Sequence, residues 1–405
     1  MVLNSLLVLA PAFPYPPQSG GDIRLFELLR RLATQFDVHL LSYGSGPVEE
    51  FMRQSGVKSV VLVPGGQPAP AGGCWRKKFD LWSGAPHGLR LNIDPVFARA
   101  LQEMLATLKP QAILIEHVYL AQYRQFVGDV PVFVTCHNVE TTKIKRWFDG
   151  DKTSFFAGVR RHLQIRAMQR CESNLGRHFH TVFATSELDR EELRRMNRHG
   201  RFLSVPNGAD LKIFTARPAG SFQGSPAAFF VGSLFYKPNL DAAMLLKNQI
   251  WPLVRQAIPD AVCHIAGNHG GMDLNSLNDP KGGVLFHGLV PDIQPYLAMS
   301  QVMVVPLQVG SGTRIKIIES MATGTPVVST RIGAEGISCT NNKDIILADT
   351  IPELAKSVIT LLRDRETAHR IGKAGRSLVE TYYNWDASAA LLRETIQTAI
   401  PKVIK

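Results

Sequence analysis

Cysteine is scarce in this 405-residue chain, and its five copies are scattered. Cys74, Cys136, Cys171, Cys263 and Cys339 form no C-x-x-C pair, which excludes a disulfide framework or a structural zinc site and suits a reducing compartment. No run of ~20 apolar residues occurs, so no transmembrane helix is expected. The opening MVLNSLLVLAPAFP is apolar but lacks a basic flank, and Pro11 and Pro14 cut it short. It reads as a first buried strand, not a signal peptide. Three phosphate or metal motifs are missing: G-x-x-x-x-G-K-[ST], H-E-x-x-H and G-x-G-x-x-G, the last because Ile315 stands where a third glycine would follow Gly310 and Gly312.

What is present suits two globular domains. The chain is too long for one ordinary α/β core, and 45% hydrophobic against 20% charged residues excludes disorder. Short apolar runs alternate with helix-length amphipathic ones. Strands are expected at 6–10, 38–43, 59–63, 112–116, 132–136, 181–184 and 202–205, with helices at 23–35, 95–108 and 186–198 among them. A second series follows: strands at 228–231, 262–266, 284–287, 302–306, 327–329 and 344–347, with helices at 240–257, 293–299, 313–322, 351–363 and 366–382. The strands are apolar throughout rather than alternating, as parallel strands covered on both faces are. Two such series predict two doubly wound Rossmann-like domains. The join falls near 206–226, where ARPAGSFQGSP carries no periodicity. A last helical pattern runs from Asp386 to Ile400.

The net charge of +11 is unevenly spread. Residues 143–177 hold nine Lys/Arg against three Asp/Glu, with Trp147, Phe148, Phe155 and Phe156 among them. Such a segment is either a solvated helix face or a surface for an anionic partner. No nucleic-acid-binding motif accompanies it, so an anionic membrane or lipid-linked acceptor is the favoured partner and nucleic acid is not expected.

Ligands of open α/β sheets bind beyond the carboxyl ends of the strands. After the first strand, Gly20 and Gly21 stand just before a helix expected from Asp22, where free amides attract phosphate. His137 follows the strand at 132–136, with Asn138 and Glu140 placed to hold its orientation. His117 stands in the same place one strand earlier, and position alone does not rank the two histidines. In the second half, Lys237 lies in a glycine loop and can neutralise a phosphate. The loop Gly310-Ser311-Gly312-Thr313 opens a helix whose amides can bind a diphosphate, with Arg314 and Lys316 adding charge. Glu319, further along, can accept hydrogen bonds from two sugar hydroxyls. Asp149-Gly150-Asp151 forms a D-x-D, but in a basic loop between helices rather than at a strand end, so no metal role is expected.

These stretches resemble the group-1 (GT4-like) glycosyltransferases of the GT-B fold, over essentially the whole chain. The matching runs are PPQSGG (16–21), the strand and HN at 132–138, VPNGAD (205–210), FVGSLFYKPNLDA (230–242), FHGLVPDI (286–293), GSGTRIKIIESMATGTPVVST (310–330) and GAEGI (333–337). The resemblance implies a GT-B fold of two Rossmann-like domains facing an interdomain cleft. Residues 1–210 would bind the acceptor and 211–382 the nucleotide-sugar donor, with 383–405 a helix crossing back to the first domain. Gly20 and Gly21 would face donor diphosphate and acceptor, and His137 would lie near the transferred sugar. Lys237 would bind the diphosphate, with Gly232 and Ser233 in the same loop. Gly288, Leu289 and Val290 would flank the base and Glu319 would hold the ribose. His117, Asn138 and Glu140 would lie on the acceptor side.

The family implies retention of configuration and needs neither metal nor cofactor. Its partners would be a nucleotide-sugar donor and a glycan or lipid-linked acceptor, handled in the cytoplasm or at the cytoplasmic membrane face. Two positions depart from the pattern. Ser311 replaces the first acid of the E-x7-E run that ends at Glu319, and Ser233 stands where an arginine usually follows the loop glycine. Arg314 or Lys316 is expected to supply that charge. A non-catalytic nucleotide-sugar-binding subunit and a nucleotide-sugar epimerase are the alternative readings.

Overall fold

In the computed structural model, which describes residues 4–65, 93–148, 155–216 and 225–401, the chain forms two compact units. One runs to Pro206 and is completed by the chain from Asp386 onward; the other is Asn207–Trp385. Cys74, Asp149-Gly150-Asp151 and most of the glycine- and serine-rich join lie outside the described residues, as do the side chains of Trp147, Phe148, Phe155 and Phe156. Among the described residues no helix is long and apolar enough to cross a membrane.

The first unit holds seven strands: β1 (Asn4–Ala10), β2 (Phe36–Tyr43), β3 (Ser59–Val63), β4 (Ala112–Glu116), β5 (Val132–Cys136), β6 (Thr181–Ala184) and β7 (Phe202–Ser204). Their order across the sheet is β3-β2-β1-β4-β5-β6-β7, every pairing parallel. Residues 6–10 of β1 are fully buried, as a central strand covered on both faces must be. From β1 the chain passes through the helix Gly20–Leu32 to β2 on one side, while β4 lies on the other. The strand order therefore reverses between β1 and β4, which opens a crevice beyond their carboxyl ends.

The second unit repeats the logic with β8 (Ala227–Val231), β9 (Val262–Ala266), β10 (Val284–Phe286), β11 (Val302–Val305), β12 (Val327–Ser329) and β13 (Ile346–Leu347). The order is β10-β9-β8-β11-β12-β13, again parallel, with its reversal between β8 and β11.

Several expectations are corrected locally. Gly20 and Gly21 are not ahead of the first helix but form its first turn, because Ser19 caps it: Ser19 Oγ accepts from Asp22 N and Asp22 Oδ2 from Ser19 N. The helix expected over 240–257 is Lys237–Leu245, a π-helical turn Leu246–Ile250 and Trp251–Ala257, the break falling where Pro252 has no N–H to donate. The helix Val48–Ser55 was not anticipated, while Glu140–Phe148 and Phe155–Glu172 are the helices expected on either side of Asp149-Gly150-Asp151. The helix Trp385–Ala399 joins the first unit from Asp386: Arg31 Nε donates to Asp386 Oδ1 and Ser388 Oγ to the Pro206 carbonyl.

Candidate functional site

In the first unit the chemistry gathers beyond β1, β4 and β5. Gly20 and Gly21 are exposed at the start of their helix, where backbone amides lack helical acceptors. Gly21 faces His137: a Cβ there would lie 3.9 Å from the ring Nδ1 and 4.0 Å from Cε1. His137 Nε2 meets Glu116 Oε1 at 2.6 Å, and Glu116, the last residue of β4, is fully buried. Arg24, from the Gly20–Leu32 helix and also buried, puts its Nε 3.6 Å from the same oxygen. Burial pushes the Glu116 carboxyl up, but the His137 contact and the Arg24 charge outweigh it and hold the group below its ordinary range.

Asn138 and Glu140 were expected to orient His137, and this is corrected: that role falls to Glu116. Asn138 Nδ2 donates to Glu140 Oε1 at 3.3 Å, and Lys143 Nζ lies 3.1 Å from both carboxylate oxygens. The Tyr119 hydroxyl donates to Glu140 as well, and burial beside that charge pushes the phenol well up. His117 stacks on Tyr119 at 4.3 Å and meets His137 edge-on at 5.1 Å. Its φ of 98° is one that side chains other than glycine rarely adopt, a strain characteristic of functional sites. Its Nδ1 accepts from Tyr119 N, and burial lowers its pKa to about 3, so the ring is neutral. Both histidines thus sit in one pocket of residues, with His137 the more accessible to Gly21.

In the second unit three loops lock together by backbone contact. Gly232 N donates to Ala266 O at 3.1 Å, Gly267 N to Gly288 O at 2.7 Å and Leu234 N to Asn268 O at 2.6 Å. At Gly267 a Cβ would fall 1.8 Å from the Gly232 carbonyl oxygen, so only glycine fits. Gly288 has φ 63°; after it Leu289 is exposed and Val290 packs partly buried on the core.

The loop after β11 sits across the reversal point from Gly232. Its helix is Ile315–Ala322, two residues later than expected. Asn207 Nδ2 donates to the Thr313 carbonyl at 3.3 Å, tying the VPNGAD turn to this loop. Gly310 and Gly312 have φ of 143° and 79°, and Ser311 lies between them. Arg314 turns back onto the loop, donating to the carbonyls of Ser311 and Gly312. Lys316 reaches the other way, 2.6 Å from where a Gly232 Cβ would be, 3.1 Å from Asn239 Oδ1 and 4.7 Å over the Phe230 ring. Burial, helped by Arg314, lowers its pKa to about 7.

Lys237, by contrast, is 74% exposed and paired with Asp241 at 2.7 Å on its own helix. Ser233 and Asn239 share a hydrogen bond of 3.0 Å, and Glu319 is buried. The sequence reading missed Glu116, Arg24, Asn239 and Gly267; the one available signal was a carboxylate ending the apolar run AILIE. Among the described residues no three His, Cys, Asp or Glu are grouped to hold a metal.

Two parallel sheets, each reversing its order where glycine loops meet charged side chains, define the GT-B class of two-domain α/β proteins. The glycosyl transferase 4-like domain model matches residues 19–208 and the glycosyl transferases group 1 model residues 225–364. The chain belongs to the group-1, glycosyltransferase 4-like family. Among curated relatives, a GDP-mannose-dependent alpha-(1-6)-phosphatidylinositol monomannoside mannosyltransferase of Mycobacterium tuberculosis is 28% identical over 162 residues, 36% of this chain and 42% of that protein. An uncharacterized 44.6 kDa protein in the cps region of Klebsiella pneumoniae is 24% identical over 170 residues, 38% of this chain and 42% of that one. The chain thus spans less than half the length of these relatives. Solved structures share the fold over nearly full length: sucrose-phosphate synthase from Thermosynechococcus elongatus (TM-score 0.69, 19% identity, 98% of this chain and 99% of that one) and Anabaena HepE in complex with UDP (0.68, 14%, 97% and 100%).

Proposed function

We propose that this chain transfers a sugar from a nucleotide diphosphate sugar to an acceptor hydroxyl, with retention of configuration and no metal. The observation that carries this reading is the Lys316 ammonium held against Gly232, beside the glycine loop that ends β8. A diphosphate is the ligand for such a cation beside a glycine loop. The bond from the sugar C1 to the diphosphate breaks, a bond from the acceptor oxygen to C1 forms, and the acceptor proton passes to the departing phosphate. Negative charge grows on the leaving group, and fixed donors stabilise it; removing one typically costs ~3 kcal/mol of barrier. Lys316 supplies the charge that Ser233 does not, while Arg314 braces the 310–312 loop. Glu319 binds the ribose, and Gly288, Leu289 and Val290 flank the base.

Two donors come first by likeness: GDP-mannose, named for the mycobacterial relative, and UDP-glucose, bound by HepE in a solved complex. Calorimetric titration with UDP-, GDP-, dTDP- and ADP-sugars in EDTA tests the reading. Tight binding of one donor is expected; binding that appears only on adding a divalent metal would overturn metal independence. The product's anomeric configuration, read by NMR, tests retention, and an inverted anomer would overturn it. Turnover of donor alone into an epimer would replace transfer by epimerisation.

The acceptor is proposed to be a lipid-linked or surface glycan, reached at the cytoplasmic membrane face through residues 143–177. The mycobacterial relative is named for a lipid acceptor, and the charge of this segment supports a similar surface here. Binding to anionic liposomes that weakens as salt rises is expected; indifference to such liposomes at low salt would remove the membrane from the proposal.

A further inference from the structure

We infer that Glu116 is a positioning residue: it holds His137 as the Nε2–H tautomer, so that Nδ1 faces the ligand as a hydrogen-bond acceptor. The inference rests on the transferase reading only in naming that ligand group a sugar or acceptor hydroxyl. Glu116 is fully buried, and Arg24 lies 3.6 Å from the oxygen that His137 contacts. A carboxylate beside a guanidinium is ionised and can only accept, so the 2.6 Å contact must be donated by His137 Nε2. With one proton on the ring, and that proton at Nε2, Nδ1 keeps its lone pair.

Nδ1 lies close to Gly21, whose missing Cβ would be 3.9 Å from it on an exposed turn. The residue's other end is fixed too, since Thr185 Oγ1 donates to the His137 carbonyl at 2.9 Å. A phosphate oxygen has no hydrogen to give Nδ1, whereas a hydroxyl does. His137 is thereby set to accept from an O–H group, and Glu116 decides that it does so.

Long-range proton–nitrogen NMR on histidine-labelled protein tests this without turnover, His137→Asn assigning the resonance. The expected spectrum has a protonated Nε2 and a bare Nδ1; a protonated Nδ1, whether or not Nε2 also carries a proton, would overturn the inference. With the preferred donor, Glu116→Gln is expected to lower kcat about 10-fold, the scale of one lost hydrogen bond to the reacting hydroxyl, with donor KM little changed. In the His137→Asn background the same change should cost nothing further. An equal loss in both backgrounds would make Glu116 merely structural. If no donor supports transfer, the transferase reading fails while the NMR result still decides the tautomer.

Discussion

The Lys316 ammonium occupies the space that a side chain on Gly232 would need: a Cβ there would lie 2.6 Å from Nζ. The glycine is thus required less for its backbone freedom than for the cation beside it. Asn239 Oδ1 accepts from that cation at 3.1 Å, and the Phe230 ring centroid lies 4.7 Å from it.

Gly232→Ala should therefore fold and yet bind donor poorly. The atoms a methyl would meet first are the ends of two flexible side chains, Lys316 and Asn239, which can move aside. We expect circular dichroism close to that of the parent and a donor Kd raised about 10-fold, the scale of one weakened charge-assisted hydrogen bond. An unchanged Kd would detach Lys316 from the donor.

Lys316→Met should raise donor Kd by ~10- to 100-fold, from a loss of ~1.5–3 kcal/mol. Lys237→Met should cost less, since Lys237 is exposed and shared with Asp241. Isothermal titration of both variants ranks the two cations, and a larger loss at Lys237 would reverse the assignment.

Lys316 also sets a pH dependence. Its folded pKa, about 7, lies below the ordinary lysine value, so the ammonium is present below that pH and is lost above it. Donor affinity should fall as pH rises through about 7, and Lys316→Arg should flatten the profile. Stability runs the other way: between about 7 and the ordinary lysine value the unfolded chain binds more protons, so this group's contribution to stability rises with pH. Donor titrations from pH 6 to 9 read the first effect.

Glu172 gives a second pH signature, in the first unit. Its carboxylate accepts from the backbone N–H of Glu140 at 2.6 Å and Thr141 at 3.1 Å, yet burial raises its pKa to about 7. The folded state therefore holds this proton more firmly than the unfolded one. The stabilisation is full below the ordinary glutamate range and is lost as pH rises through about 7. Thermal melts should show Tm declining over that window, and Glu172→Gln should make the decline shallower.

Gly267→Ala should destabilise the second unit by ~3 kcal/mol, the cost of forcing a side chain onto a φ of 152° against the Gly232 carbonyl. A fall in Tm of roughly 6–12 °C is expected by calorimetry. A melt unchanged from the parent would show that the loops re-form around the methyl.

The sheets were legible because a strand covered on both faces has to be apolar throughout. The strands at 59–63, 112–116, 132–136, 181–184, 262–266 and 327–329 were bounded correctly by that pattern alone. The bounds of the helix Phe155–Glu172 were not legible, since its sequence shows no single apolar stripe at helical spacing. Glu116 was hidden for another reason. Its partnership with His137 depends on the β4–β5 register, in which Glu116 lies opposite Thr135, two residues before the histidine. The Lys316–Gly232 contact likewise exists because β11 lies beside β8 in the sheet, an adjacency that spacing along the chain does not encode. Charged residues could be found by inspection; which of them meet was decided by strand order.

The first unit is built from two separated stretches of chain, and the second lies wholly between them. On the ribosome, the second unit can reach its native fold while the last helix is still being made. The first cannot be completed until Trp385–Ala399 emerges and Asp386 meets Arg31. A chain cut short before that helix would therefore carry a finished second unit and an unfinished first.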